Sequence, residues 1–195
     1  MSDITPFRIS IPESRLERLK QKLALADFPD EIQGAGWDYG TPLADIKRLV
    51  AYWHQGYDWR KGEAELNKLP QFTTDIPVDG FETLKIHFIH QKSPVNGAIP
   101  LLFCHGWPGH FDEVRKILPE LVKGGTDFPA FHVAAPSLAN FGFSEGTKKV
   151  KKGSMRRDSN EKLAPSSLQF LDGSTANGLN RKDLGSVNTR RYVTS

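Results

Sequence analysis

Apolar residues in this chain recur first at three- and four-residue intervals and then, beyond Pro70, at intervals of two. Leu16, Leu19 and Leu23 share one helical face, with Arg15, Arg18, Lys20 and Lys22 on the others, which predicts a helix over 12–25. Ser10 and Glu13 ahead of it fit a capping box, with Ser10 as N-cap. Phe28-Pro29 ends that helix. Residues 30–40 have no period and carry Trp37 and Tyr39, large aromatics expected to lie packed on something. Thr41-Pro42 opens a second helix, Thr41 as N-cap and Pro42 at N1. Its apolar stripe is Leu43, Ile46, Leu49, Val50 and Trp53. Asp58 caps a third helix running to Leu69, with Leu66 and Leu69 inward and Gly62 as a weak point.

After Pro70, Phe72, Thr74 and Ile76 alternate with polar residues. Asp79-Gly80 supplies a turn, and Leu84, Ile86 and Phe88 then alternate with Lys85, His87 and Ile89. The pattern predicts a half-buried β-hairpin. A polar loop over 91–97 leads to Leu101-Leu102-Phe103-Cys104, an unbroken apolar run expected of a central strand buried on both faces. His105-Gly106-Trp107-Pro108-Gly109 follows as a turn. Phe111, Val114, Ile117, Leu118 and Leu121 then repeat at helical spacing as far as Lys123-Gly124. Phe131-His132-Val133-Ala134-Ala135-Pro136 reads as a further buried strand. Strand, crossover helix and strand make a βαβ unit, which requires a parallel pair and a right-handed crossover. The fold class is therefore α/β.

Composition places a boundary near Val150. The 195-residue chain has a net charge of +3, but residues 151–195 hold nine Lys/Arg against four Asp/Glu, while residues 1–150 are slightly acidic. That tail has no Trp and one Phe, and Ser, Thr, Asn and Gly make up 18 of its 45 residues. Such a composition buries too little apolar surface to offset the entropy of ordering. Three segments are expected: a helical N-terminal wrapping segment (1–71), the first strands and crossover helix of a core (72–150), and a basic polar tail of low order (151–195). The single cysteine, Cys104, excludes an internal disulfide and favours a reducing, cytoplasmic setting. No apolar run approaches the roughly 18 residues that span a membrane, and the first residues lack the basic start and apolar centre of a signal peptide.

Few residues offer chemistry. Gly36-Trp37-Asp38-Tyr39-Gly40 matches the shape of a nucleophile elbow, but no strand precedes it, so a glycine-flanked turn is expected. His54 has no second ligand at a metal spacing, and His87 and His90 point to opposite faces of their strand, so no metal or cofactor is expected. The basic pairs Lys148-Lys149, Lys151-Lys152, Arg156-Arg157 and Arg190-Arg191 could contact phosphates but lack interleaved aromatics, so nucleic-acid binding is not expected. The turn after Cys104 is different. It lies at the carboxyl end of a strand, where open α/β sheets bind ligands.

Three groups of residues identify a family. They are Trp37-Asp38-Tyr39-Gly40-Thr41-Pro42 with Tyr52-Trp53 and Tyr57-Asp58-Trp59-Arg60; Leu66-Asn67-Lys68-Leu69-Pro70-Gln71-Phe72 with Ile86-His87-Phe88-Ile89-His90; and His105-Gly106-Trp107-Pro108-Gly109 with Pro136-Ser137-Leu138 and Phe141-Gly142-Phe143-Ser144. In this order and spacing, residues 6 to about 150 resemble the N-terminal half of the microsomal-type epoxide hydrolases of the α/β-hydrolase superfamily. One departure is Ala139-Asn140, where the family more usually has Pro-Gly. The resemblance implies a truncated α/β-hydrolase sheet and a small-molecule epoxide as substrate. In that chemistry an Asp opens the epoxide and becomes esterified, two lid tyrosines assist, and a His oriented by an acid activates the water that cleaves the ester. It also implies a role for the backbone N–H of Trp107, as one oxyanion-hole donor supported by His105, Gly106 and Pro108.

The family's nucleophile lies downstream of Ser144, on an elbow. No G-x-D-x-G, G-x-S-x-G or cysteine elbow follows Ser144, the tail has no His, and its one Tyr is Tyr192. Asp172-Gly173-Ser174 and Lys182-Asp183-Leu184-Gly185 lack the strand and helix an elbow needs. Residues after about 153 therefore resemble a frameshift, retained intron or misplaced exon boundary rather than family sequence; the alternative is a natural tail with a role of its own. The expected function is that of an epoxide hydrolase relative inactive on its own. The alternative is a non-catalytic module that associates with another subunit, or with itself, through an exposed sheet edge.

Overall fold

A computed structural model describes residues 3–78 and 82–148. The Asp79-Gly80 turn and the whole 151–195 tail lie outside the described residues. Arg8–Leu69 forms one compact unit, and the described residues before Arg8 and after Leu69 form the other.

The Arg8–Leu69 unit is helical: α1 (Glu13–Ala24), α2 (Leu43–Ala51) continued by a π-helical turn (Tyr52–Gly56), and α3 (Trp59–Leu66). Neither predicted cap forms at the first two helices. Pro12 and Pro42 occupy the N-cap positions, with no side-chain cap bond at either. A proline has no N–H to satisfy and its φ is already set, so α1 starts two residues later than a Ser10 cap would place it and α2 one residue later than a Thr41 cap would. Glu13, expected to reach back to Ser10, instead pairs with Arg60 at 2.8 Å. Asp58 does cap α3, accepting from the N–H groups of Arg60 and Lys61. Glu63 accepts from Ile11 N–H, Trp59 Nε1 and Arg60, and these bonds hold its carboxylate below its ordinary pKa. Asn67 closes a pair of hydrogen bonds with the backbone of Ile9, at 2.8 and 2.9 Å. Residues 30–40 form turns, with Gly36 and Gly40 at positive φ, as expected of Gly36-Trp37-Asp38-Tyr39-Gly40. Trp37 and Tyr39 are not packed away. They are 67% and 82% exposed, because these turns carry the rings outward.

The second unit is a five-stranded sheet: β1 (Thr5–Pro6), β2 (Gln71–Pro77), β3 (Thr83–Gln91), β4 (Ile99–Leu102) and β5 (Phe131–Pro136), in the order β1-β2-β3-β5-β4. The hairpin is as expected, with Phe72 opposite Phe88 and Ile76 opposite Leu84. β5 runs antiparallel to β3, with Phe88 opposite Pro136, and parallel to β4, with Leu102 opposite Ala134. The sheet is thus mixed. Phe88 and Ala134 centre one core cluster, with Phe72, Ile76 and Leu102 against them; Val78, Leu84 and Ile86 form another.

Three expectations fail here. β4 is not central or buried on both faces: it lies at the sheet's edge among the described residues, and it is half-buried, with Ile99 exposed. The apolar run reads as a central strand, but among the described residues only β5 pairs with it. Nor is β3 half-buried. His87, Phe88 and Ile89 are all fully buried, since aromatic side chains cover the face that His87 occupies. The crossover helix, finally, is split into a 3₁₀ turn (Phe111–Val114) and α4 (Leu118–Lys123). Pro119 has no N–H to give Arg115 and sits comfortably only in a first turn, so α4 starts afresh at Leu118.

Candidate active site

Parallel β4 and β5 end side by side, so the segments leaving them meet. The last ladder contact is Phe103 N–H to Ala134 O, at 2.9 Å. Beyond it the chain from β4 turns through Cys104, His105, Gly106, Trp107, Pro108 and Gly109. The chain from β5 enters Ser137-Leu138. The two are joined by one bond, Leu138 N–H to His105 Nε2 at 3.1 Å.

That bond fixes the chemistry of the imidazole. A backbone N–H can only donate, so Nε2 is the unprotonated nitrogen. His105 Nδ1 lies 2.9 Å from the carbonyl oxygen of Gly106, which can only accept, so Nδ1 carries the proton. The ring is 5% exposed and meets Phe141 edge to face, with centroids 5.2 Å apart. Both nitrogens of His105 are engaged in holding the turn.

Trp107 is 84% exposed, and its backbone N–H donates no hydrogen bond among the described residues. The Trp107–Pro108 bond is cis. Gly109 is required by close approach: a Cβ there would lie 2.9 Å from the Gly106 oxygen and would also strike the Glu113 carboxylate. His110 closes the turn in a way the sequence reading missed. It caps the 3₁₀ turn, accepting from Asp112 N–H through Nδ1, while Glu113 accepts from the N–H of His110. The signal in the sequence is Glu113 three residues on, the spacing of a capping box. Desolvation raises the pKa of the neighbouring Cys104 thiol, which disfavours the thiolate.

The structure therefore brings His105, Gly106, Trp107 and Pro108 into one turn that presents an unpaired N–H at the carboxyl end of a parallel pair. Among the described residues, no group of three or more His, Cys, Asp or Glu could hold a metal. No helix among them is long and apolar enough to cross a membrane. In the loop where Ala139-Asn140 departs from the usual Pro-Gly, Asn140 takes φ 71°, a left-handed conformation that Asn tolerates better than most side chains.

A mixed sheet with this crossover and this turn defines an α/β-hydrolase. The chain belongs to the epoxide hydrolase N-terminus family, whose model matches residues 4–114. It is 38% identical over 152 residues to juvenile hormone epoxide hydrolase 2 of Ctenocephalides felis, covering 76% of this chain and 32% of that protein. It is 36% identical over 154 residues to epoxide hydrolase 1 of Sus scrofa, covering 75% and 33%. The crystal structure of juvenile hormone epoxide hydrolase from the silkworm Bombyx mori superimposes with a TM-score of 0.71 at 28% identity, covering 89% of this chain and 44% of that one. The chain spans about a third of the length of the curated relatives it matches.

Proposed function

We propose that this chain is the N-terminal share of an epoxide hydrolase, with the Trp107 N–H as one donor of its oxyanion hole, and that it does not turn over an epoxide alone. The observation that carries this reading is the unpaired Trp107 N–H, held in a turn by His105, Gly106 and the Pro108 ring. Ester hydrolysis places negative charge on one oxygen, and a donor already aimed at that point lowers the barrier without reorganising. Loss of one such donor costs about 10²–10³ in rate. The substrate is a small-molecule epoxide. The nucleophilic Asp, the activating His and the lid tyrosines come from sequence that residues 151–195 do not supply. In this reading the chain divides into a mainly helical N-terminal segment (1–71), a partial core (72–150) and a tail (151–195), in a cytoplasmic setting. Translating the encoding nucleotide sequence in its other frames beyond codon 150 tests the reading. We expect a helix, a strand and a Gly-x-Asp-x-Gly elbow in one of them; their absence from both would speak for a natural tail.

A second reading rests on β4, which pairs only with β5 among the described residues. An open edge is a template for another strand, so the chain would act as a non-catalytic association module, pairing with another subunit or with itself. This reading expects concentration-dependent self-association in sedimentation. A monodisperse monomer that melts cooperatively would count against it.

A further inference from the structure

The Gly106 carbonyl and the Trp107 N–H belong to one planar peptide unit, so whatever orients the first aims the second. His105 Nδ1–H holds that carbonyl. His105 can do so only as the Nδ1–H tautomer, which is selected because Nε2 accepts from Leu138 N–H. What fixes Leu138 is the residue before it. Ser137 is fully buried, and three hydrogen bonds hold it: its N–H donates to His87 O at 2.8 Å, its Oγ lies 2.9 Å from His87 Nδ1, and its carbonyl accepts from Ser144 Oγ at 2.6 Å. The contact is tight on a further side, where a Cβ on Gly142 (φ 52°) would come within 2.6 Å of Ser137 Oγ. His87 is anchored in turn by Gln71 Oε1, 3.0 Å from its Nε2, and by the rings of Phe7, Phe111 and Phe143.

We infer that Ser137 and His87 are positioning residues for the Trp107 N–H, acting through Leu138 and the tautomer of His105. The sequence from core to donor is Gln71, His87, Ser137, Leu138, His105, Gly106, Trp107. No member but the last would touch substrate. The inference rests on the oxyanion reading for its purpose, but its geometry stands or falls separately. The tautomer and the N–H direction can be measured with no substrate present.

The test is nuclear magnetic resonance of the full chain. Ring ¹⁵N shifts report the His105 tautomer, residual dipolar couplings report the direction of the Trp107 N–H, and amide exchange reports Leu138. In the unsubstituted chain His105 is expected as the Nδ1–H tautomer, and finding the Nε2–H form would overturn the inference. In Ser137→Ala the Leu138 amide should exchange about tenfold faster, His105 should show mixed tautomers, and the Trp107 coupling should change. A merely structural Ser137 would lower stability and leave the tautomer and the coupling of the folded protein as they were; that result sinks the proposal. Should Ser137→Ala not fold, a pair of variants at His105 decides. Asn offers an amide near the Nδ1 position and should preserve the Trp107 coupling, whereas Gln reaches the Nε2 position, loses the bond to Gly106 and should change it. Equal couplings in the two variants would refute the inference. An oxyanion reading that failed in an activity assay would leave all of these readouts unmoved.

Discussion

Lowering the pH from about 6.5 to about 4 is expected to remove about 3 kcal/mol of stability through His87 alone. Burial pushes the His87 pKa from its ordinary value near 6.5 down to about 4, because the charged ring would sit in a site without water. No carboxylate bonds to it. Its partners are the Ser137 hydroxyl, the Gln71 amide and three phenylalanine rings. The folded state therefore binds fewer protons than the unfolded state across this window. Stability from this group is complete above about pH 6.5 and falls as pH drops toward 4, where the loss levels off. Each unit of separation is worth 1.36 kcal/mol, so about 2.5 units give at most about 3.4 kcal/mol, or about 300-fold in the folded-to-unfolded ratio, most of it lost between pH 6.5 and 4. Denaturant unfolding at a series of pH values measures this. His87→Gln, which keeps an amide for Ser137 and Gln71, should flatten that part of the profile. A profile as steep in His87→Gln as in the unsubstituted chain would mean that other groups carry the acid sensitivity.

The second large effect concerns catalysis. Opening an epoxide through an enzyme ester takes a nucleophile, a base for the second step and donors for two developing charges. On the proposed reading the Trp107 N–H serves the last of these. In a protease with comparable covalent logic, removing the nucleophile costs on the order of 10⁶ in kcat, so on the proposed reading, in which this chain holds no nucleophile, no measurable turnover is expected from it alone. Relatives that match this chain over about a third of their length have about two thirds of their sequence outside the match, and we propose that the nucleophile and its base belong to that portion.

Much of this fold could be read from spacing. The leucine repeat of α1, the stripe of α2, the Asp58 cap, the alternation of β2 and β3 and the apolar run of β5 are local patterns, and each produced its element. What could not be read depended on neighbours distant in sequence. β1 is two residues long and exists only because β2 offers it a partner. The place of β4 at the edge, and the antiparallel pairing of β3 with β5, are set by strand order, which periodicity does not encode. His87 looked like the polar member of an alternating strand, and only its aromatic cover and two hydrogen bonds make it a core residue. The break in the crossover helix was legible, because Pro119 sits in the middle of the apolar repeat; the repeat was simply the stronger signal.

The site divides in the same way. The turn containing His105, Gly106, Trp107 and Pro108 was visible as a motif, since its glycines and proline declare a special backbone. The tautomer of His105 was not. It depends on Leu138, 33 residues away in the chain, and on a buried serine whose role no local pattern marks.

The most direct measurement is diol formation by the purified 195-residue chain incubated with a simple aryl epoxide such as styrene oxide, against a no-protein control. Equal diol is expected in both at every protein concentration. Diol that rises in proportion to the chain, and that is lost when the protein is unfolded beforehand, would show that these residues hold a complete catalytic site and would contradict it.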